Sequence, residues 1–282
     1  MVKIIDGKKI RDEIFSKIKK EVEALSFKPV FCDVLVGEDK ASVQYVQMKK
    51  QNAEKIGFEF HSANFPKTIT TKELVEEIKK LNKIPNMCGI IVQLPLPEKL
   101  DRRAILDAID SKLDVDCLGS VASDLFYKGE TNFGFPTALA CMELLNSIGA
   151  LSKNNKKIVV LGQGELVGKP VSALLKFKGF YPITINSRSE NKDELIKQAD
   201  IIISGMGNGK HITGDMIKEG AILIDAGTSE SGSGIVGDID FDSIKDVASF
   251  VSPVPGGVGP VTIAMLFNNV LNVAKIKQNE SR

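Results

Sequence analysis

The sequence contains few cysteines, and no two of them lie close together in the chain. Cys32, Cys88, Cys117 and Cys141 form no CxxC pair and no cluster with the spacing of metal ligands. Scattered single thiols are typical of reduced proteins of the cytosol. We therefore expect no disulfide framework, no structural zinc and no metal cofactor.

An excess of charge of either sign is also missing. The chain has 37 Lys and Arg against 36 Asp and Glu. Such a balance provides no broad field that could hold a nucleic acid or an anionic membrane surface. We expect neither partner, and any anionic ligand must be bound by a local site.

Long apolar runs are absent as well. The first residues, MVKIIDGKKIRDEI, turn polar after four positions, and no later run is long enough to span a bilayer. The sequence therefore predicts neither a signal peptide nor a membrane span, and a cytoplasmic location.

What the sequence does contain is a globular composition, 43% hydrophobic and 26% charged, over 282 residues. This length exceeds the size at which one core usually stops growing, which favours two domains. In the first half, apolar periodicity predicts helices over residues 7–25, about 42–56 and 71–81, and buried strands over 30–36 and 89–94. Thr70 and Glu73 form a capping-box pattern. The predicted order is α-β-α-α-β, with parallel strand pairing.

The second half repeats the alternation, with strands predicted near residues 157–161, 183–185, 201–204 and 221–225. The last predicted helix, residues 261–274, could return to the first domain. The fold class is thus α/β: residues 1–120 with 262–282 form one domain, and residues 121–261 form a Rossmann-like, doubly wound domain.

A glycine turn joins the first strand of the second domain to a helix. Residues 156–161 run directly into Gly162, Gln163 and Gly164, and Gly168 opens the helical segment. Glycines let a backbone approach a pyrophosphate, whose charge the helix start attracts. The spacing is one residue longer than GxGxxG, and a purely structural turn is the alternative. We favour a dinucleotide site because the strand and helix stand in the required order.

The next strand ends in Asn186, Ser187 and Arg188, where an NAD site usually carries a carboxylate. A hydroxyl and a guanidinium suit the 2′-phosphate of NADP, which a carboxylate would repel. NADP is therefore the preferred cofactor. The alternative is that Arg188 is a solvated loop residue.

Three polar side chains of the first domain could bind a ligand. Tyr45 and Lys49 lie four residues apart and share one helix face. By spacing alone, a surface Lys beside a half-buried Tyr is the simpler interpretation. Gln93 ends an apolar strand, where parallel sheets carry binding residues, although a satisfied core amide is as good an interpretation.

Asp114 and Asp116 would point the same way if their segment were extended. One of them could bind a ligand while the other caps a turn. A carboxylate complements paired donors such as the amino and ring N–H groups of a pterin.

Together these segments resemble the bifunctional methylenetetrahydrofolate dehydrogenase/methenyltetrahydrofolate cyclohydrolase family over nearly the whole chain. The ordered motifs are ASxxYVxxK from Ala41, GIIVQLPLP from Gly89, DVD from Asp114, GQGELVGKP from Gly162 and PVPGGVGPVT from Pro253.

The resemblance implies oxidation of 5,10-methylenetetrahydrofolate by NADP, followed by hydrolysis of the methenyl cation to 10-formyltetrahydrofolate. It makes Lys49 the catalytic amine, Tyr45 a ring packing on the pterin, Gln93 the partner of the amine and Asp116 the pterin anchor. Further contacts are implied for the folate at Pro255, Gly256 and Gly257, and for NADP at Gly162, Gln163, Gly164, Ser187, Arg188 and Thr228. A homodimer formed through the nucleotide-binding domains, acting in one-carbon metabolism, is also implied.

The chain departs from the family pattern at three places. Gln163-Gly164 stands where the family commonly has Arg-Ser, Cys117 stands where DVDG has Gly, and Phe135-Pro136-Thr137-Ala138 replaces a PCTP-like segment. Two alternatives follow: a cyclohydrolase with a weakened dehydrogenase, and a non-catalytic dinucleotide-binding regulator. His61 and His211 lie beside none of the motifs, so a histidine base is not favoured.

Overall fold

The computed structural model describes residues 1–152, 155–232 and 234–280. The helices are α1 (Gly7–Glu23), α2 (Lys40–Lys55), α3 (Thr71–Leu81), α4 (Arg102–Leu106), α5 (Ser120–Lys128), α6 (Pro136–Ser147), α7 (Gly168–Phe177), α8 (Lys192–Lys197), α9 (Phe241–Ile244) and α10 (Val258–Glu280). The strands are β1 (Lys3–Ile4), β2 (Val30–Val36), β3 (Glu59–Phe65), β4 (Met87–Val92), β5 (Ile158–Leu161), β6 (Ile183–Ile185), β7 (Ile201–Ser204), β8 (Ile222–Asp225), β9 (Ser229–Ser231), β10 (Gly234–Val236) and β11 (Phe250–Val251). None of the described helices is both long and apolar enough to cross a membrane.

Contacts divide the chain into two compact units. The N-terminal unit comprises Ile14–Pro136 and Leu266–Arg282, and the central unit comprises Met1–Glu13 and Thr137–Met265. The limits predicted at residues 120 and 261 separate a catalytic domain from a nucleotide-binding domain, and they stay predictions.

The N-terminal unit is built on a parallel sheet with strand order β3-β2-β4. Strand β2 lies in the middle and is buried along its whole length, as its apolar run predicts. The predicted α-β-α-α-β order was wrong, because β3 lies between α2 and α3. This edge strand is polar and only partly buried, so it lacks the apolar run by which β2 and β4 are recognised.

The last helix packs within the N-terminal unit from Leu266 onward, as predicted for its return to the first domain. The buried ring of Phe267 lies 5.4 Å from Phe31, 5.8 Å from Phe58 and 6.0 Å from Phe15, measured between ring centroids. Asn269 adds hydrogen bonds from its Nδ2 to the backbone oxygens of Val115 and Gly134, at 2.8 and 2.7 Å. Helix α10 begins three residues before the predicted start because Pro260 is tolerated in a first helical turn.

The central unit carries a parallel sheet with strand order β1-β11-β8-β7-β5-β6. The predicted strands 183–185 and 201–204 coincide with β6 and β7, and those near 157 and 221 begin one residue later. This parallel α/β sheet confirms the fold class. Two-residue strands such as β1 and β11 are too short to show periodicity, so they were not predicted.

Candidate functional site

Lys49 is buried, and its amine contacts one polar group within a strand and another directly after a strand. Helix α2 begins after Asp39, whose side chain accepts a hydrogen bond from the Ser42 backbone N–H. The helix buries one stripe, which includes Lys49, against the sheet. The Lys49 Nζ donates to Gln93 Oε1 at 2.7 Å and lies 2.7 Å from Asp33 Oδ2. An amine held by fixed partners in this way is preorganised for chemistry.

Gln93 follows strand β4 directly. Its backbone N–H donates to the Val34 oxygen, which continues the sheet pairing by one residue. Its side-chain Nε2 donates to the Leu94 oxygen at 2.9 Å, which leaves Oε1 directed at Lys49. Both ends of the amide are satisfied, so its orientation is fixed.

Asp33 is the one partner of Lys49 that sequence reasoning missed. It lies in the middle of β2, and its side chain has no exposed surface. Burial raises the pKa of this carboxyl above its usual value, while the Lys49 ammonium opposes the rise. A charged residue within an otherwise apolar, buried strand needs a partner, and this was the available indication in the sequence.

Tyr45 is 49% exposed, one turn before Lys49 on α2. The simpler interpretation of the spacing required a surface Lys beside a half-buried Tyr. The structure shows the reverse, with a buried amine and an exposed aromatic ring. An exposed ring next to a buried amine leaves a flat apolar face open to a ligand.

The two acids of the DVD motif have different surroundings. Their segment is a turn and not extended, because the Cys117 N–H bonds back to the Asp114 oxygen. The buried Asp114 carboxylate accepts a hydrogen bond from the Gly119 N–H at 2.6 Å and so stabilises the loop. Asp116 interacts electrostatically with Lys49. Burial raises the pKa of Asp116 to about 7, against the lowering effect of the Lys49 ammonium.

The backbone conformation at Cys117 explains why the usual DVDG motif has a glycine at this position. Its backbone has φ 59°, a left-handed conformation that glycine adopts without strain. The thiol is buried, and burial raises its pKa. The turn that positions Asp116 therefore persists with a side chain at this residue.

The glycine turn of the central unit is closely packed. Gly162 has φ 81°, and a Cβ placed on Gly168 would lie 1.8 Å from the Gly162 oxygen. Gly168 therefore lets the first turn of α7 pack against the end of β5. Gln163 folds back, with its Nε2 donating to the Gly162 oxygen at 2.8 Å. This turn thus contributes no cationic side chain.

Around this turn lies a cleft of about 570 Å³, within the size range of ligand sites. We call it the glycine-turn cleft. Four predicted cofactor residues line it: Gly162, Gln163, Gly164 and Ser187. The structure thus brings the end of β6 together with the turn after β5, as expected for neighbouring parallel strands.

The remaining predicted cofactor residues, Arg188 and Thr228, are exposed. Arg188 follows Ser187, and its backbone N–H donates to the Asn186 Oδ1 at 2.8 Å. Thr228 precedes β9 on a loop. Its backbone oxygen would lie 3.9 Å from a Cβ added to Gly207.

Sequence reasoning missed other residues of the cleft. Lys192 and Asp193 line it from the start of α8, and the Lys192 Nζ donates to the Ser187 oxygen at 2.7 Å. His211 lines it as well, although it lies beside none of the motifs in the sequence. The loop after β7 brings His211 to the turn although 47 residues separate it from Gly164.

The predicted folate loop lies in the central unit. The Val254–Pro255 peptide is cis, and Gly256 has φ 109°, which favours glycine. The Gly257 N–H donates to the Pro253 oxygen at 2.7 Å and closes a turn. The position of a Cβ on Gly7 lies 1.9 Å from the Gly257 oxygen, so this turn packs tightly on the start of α1.

The central unit has a nucleotide-sized cleft where a strand, a glycine turn and a helix meet. The other α/β unit holds a buried amine. These two features define an α/β enzyme with a dinucleotide-binding domain. Family models agree with this class. The catalytic domain of tetrahydrofolate dehydrogenase/cyclohydrolase matches residues 5–116, and the NAD(P)-binding domain of the same family matches residues 136–278. The chain belongs to this family.

Similar proteins cover nearly the whole chain. The bifunctional protein FolD of Staphylococcus aureus is 38% identical over 99% of this chain and 98% of its own. A crystal structure of the bifunctional enzyme FolD, a methylenetetrahydrofolate dehydrogenase/cyclohydrolase from Campylobacter jejuni, has a TM-score of 0.94 at 33% identity. It covers 98% of this chain and 100% of its own. The Trypanosoma brucei enzyme, complexed with NADP and an inhibitor, has a TM-score of 0.89 at 33% identity, with 98% of each chain covered.

The packing of the glycine turn gives a direct test. Gly168→Ala is expected to destabilise the central unit by about 1–3 kcal/mol, since the added methyl overlaps the Gly162 oxygen. It should also weaken nicotinamide nucleotide binding. Thermal unfolding and nucleotide titration measure both effects. Gly164→Ala is the matched control for stability, because nothing lies within 4 Å of its added Cβ. Equal stability of the two variants would contradict this account of the turn.

Proposed function

We propose that this protein oxidises 5,10-methylenetetrahydrofolate to the 5,10-methenyl form with NADP and hydrolyses that product to 10-formyltetrahydrofolate. The observation that carries the proposal is the buried Lys49 amine, fixed by Gln93 at 2.7 Å in the part of the chain that matches the family's catalytic domain. The glycine-turn cleft lies in the part that matches the NAD(P)-binding domain.

In the hydrolysis step, Lys49 acts as the general base. Its Nζ takes a proton from water as the water oxygen bonds to the methenyl carbon. The bond between that carbon and the pterin nitrogen N5 then breaks, the hydroxyl proton passes to N5, and the formyl group stays on N10. Gln93 orients the amine without adding charge. The side-chain carbonyl of a glutamine suits this role because it accepts a hydrogen bond and does not titrate.

The pterin is held by Tyr45 and Asp116. The exposed Tyr45 ring offers a face for stacking, and the Asp116 carboxylate accepts hydrogen bonds from the amino and ring N–H groups. Because the pKa of Asp116 is about 7, its ionised, acceptor form grows as the pH rises through neutrality. The folate contacts implied for Pro255, Gly256 and Gly257 stay predictions.

NADP is the cofactor. Gly162, Gln163 and Gly164 at the start of α7 would hold its pyrophosphate, because backbone N–H groups and the helix dipole attract negative charge there. Ser187 and Arg188 would hold its 2′-phosphate, and Thr228 would add a contact from the loop before β9. When bound, NADP would supply the hydride acceptor.

The experiment that tests the function is a paired kinetic assay. Purified protein with methylenetetrahydrofolate is expected to reduce NADP faster than NAD, after which the methenyl chromophore decays. Omitting the folate controls for non-specific reduction. If neither nucleotide is reduced while methenyltetrahydrofolate is still hydrolysed, the chain is a cyclohydrolase whose dehydrogenase has weakened.

One observation favours that second candidate. The Gln163 side chain turns back onto the Gly162 oxygen, so no cation from the turn reaches the cleft. The family commonly has an arginine at this position. Loss of one charge-assisted hydrogen bond to phosphate weakens nucleotide binding by about 1.5–3 kcal/mol.

We also propose a cytoplasmic homodimer that acts in one-carbon metabolism and serves purine, methionine and histidine biosynthesis. Support for the dimer comes from strand β6, which lies at one edge of the central sheet. Apolar side chains are exposed on and beside it: Tyr181 is 89% exposed, Phe177 52% and Ile183 37%. An exposed apolar strand edge is suited to pairing with a second copy. Sedimentation of the purified protein as a monomer would contradict this.

A further inference from the structure

A buried carboxylate in strand β2 has no part in the proposed reaction. The Asp33 side chain is fully buried. The adjacent residues Cys32 and Val34 are also buried, and neither carries a charge that could pair with it. Its Oδ2 lies 2.7 Å from the Lys49 Nζ as an ion pair, and neither of its oxygens has a hydrogen-bond partner in the part of the chain that the structure describes. Because an unpaired buried charge is costly, the ion pair with Lys49 is what stabilises an acid at this position.

We propose that Asp33 is a positioning residue that holds the Lys49 ammonium in place, opposes its deprotonation and thereby sets the pH at which hydrolysis begins. This inference rests on the proposed role of Lys49 as general base. Asp33 acts only through the amine, since its fully buried side chain has no surface that could contact a substrate.

Groups from several elements face the Lys49 amine. Asp33 approaches from β2, Gln93 from the end of β4 and Asp116 from the turn before α5. Gln93 carries no charge. Burial raises the pKa of both acids, and the Lys49 ammonium opposes the rise in each. Beyond these groups, the titratable neighbours of the two acids are Cys32, Asp114 and Cys117. Of the two acids, Asp33 forms the direct ion pair with the amine.

The consequence for the reaction follows from charge. A general base must lose its proton before it can accept one from water. A carboxylate in direct contact with an ammonium stabilises the charged form and so opposes loss of its proton. Once water bonds to the methenyl carbon and its proton moves to Nζ, the ammonium is again paired with Asp33. The same contact therefore delays deprotonation and strengthens the base.

Asp33→Asn tests this proposal because it keeps the shape and removes the charge. The acid limb of the hydrolysis pH profile is expected to move to lower pH by about one unit or more, with a lower plateau in kcat and little change in KM. Cys32→Ala is the matched control. It changes the adjacent buried residue, which points to the opposite face of β2, and should leave the acid limb in place.

A second measurement tests the Asp33–Lys49 ion pair independently of enzyme activity. NMR of the enzyme containing ¹³C-labelled lysine, with Lys49 assigned by its absence in Lys49→Met, is expected to show the amine titrating at lower pH in Asp33→Asn. If the Asn variant does not fold, Asp33→Val replaces it with a residue suited to a buried strand. An acid limb and an NMR titration both unchanged from wild type would overturn the proposal. If the unmodified enzyme fails to hydrolyse methenyltetrahydrofolate, the proposed function fails instead, and the NMR titration still decides the role of Asp33.

Discussion

Replacing Lys49 with methionine is expected to lower the rate of methenyltetrahydrofolate hydrolysis by about 100- to 10,000-fold, the contribution of a positioned general base. Methionine has a similar length and fits an apolar, buried position, but it cannot accept a proton. NADP binding should persist, because the glycine-turn cleft is lined by residues of the central unit. Hydrolysis kinetics and NADP titration of the same preparation measure both effects.

This substitution also leaves Asp33 without its partner, at a cost of about 3–5 kcal/mol when one member of a buried ion pair is removed. Burial already raises the pKa of Asp33, so the variant should be more stable at low pH and lose that stability as the pH rises. The double variant Lys49→Met with Asp33→Asn removes the unpaired charge and controls for folding. Hydrolysis at the wild-type rate in either folded variant would reject the role of Lys49.

Replacing Arg188 with alanine is expected to lower kcat/KM for NADP by about 10- to 100-fold, the effect of a lost charge-assisted hydrogen bond to phosphate. The values for NAD should change little, because NAD lacks the 2′-phosphate. Arg188 and Lys192 bring positive charge to the end of β6, and Asp193 brings one negative charge. Paired kinetics with both nucleotides measure the change in preference.

Two controls separate the contact from general charge. Lys176→Ala removes an exposed positive charge from α7, away from the residues lining the cleft, and should leave the NADP preference unchanged. Asp193→Asn removes the carboxylate of the cleft and should raise the preference for NADP. If Arg188→Ala lost activity equally with NAD and NADP, the Arg188 guanidinium would not bind the 2′-phosphate.

Local patterns predicted the elements that carry the site. The capping box at Thr70 and Glu73 forms as expected, with the Glu73 side chain accepting from the Thr70 N–H at 2.8 Å. The strand before Gly162 forms one residue later than predicted, and the helix predicted to open at Gly168 begins there. The capping box depends on residues close together in the chain. The strand and the helix each depend on one hydrophobic periodicity. Strand β3 was missed because its polar edge position gives no such periodicity.

The sequence by itself determined the α/β fold class, the glycine turn, and the motifs by which the chain resembles its family, because these depend on residue types at short spacing. Only the tertiary structure decided which polar groups meet. Lys49 comes from a helix, Asp33 from a strand and Gln93 from the residue after another strand, and His211 reaches the glycine-turn cleft from a distant loop. Parallel sheet pairing brings together residues that are far apart in the chain, and the register of that pairing depends on packing of the whole unit.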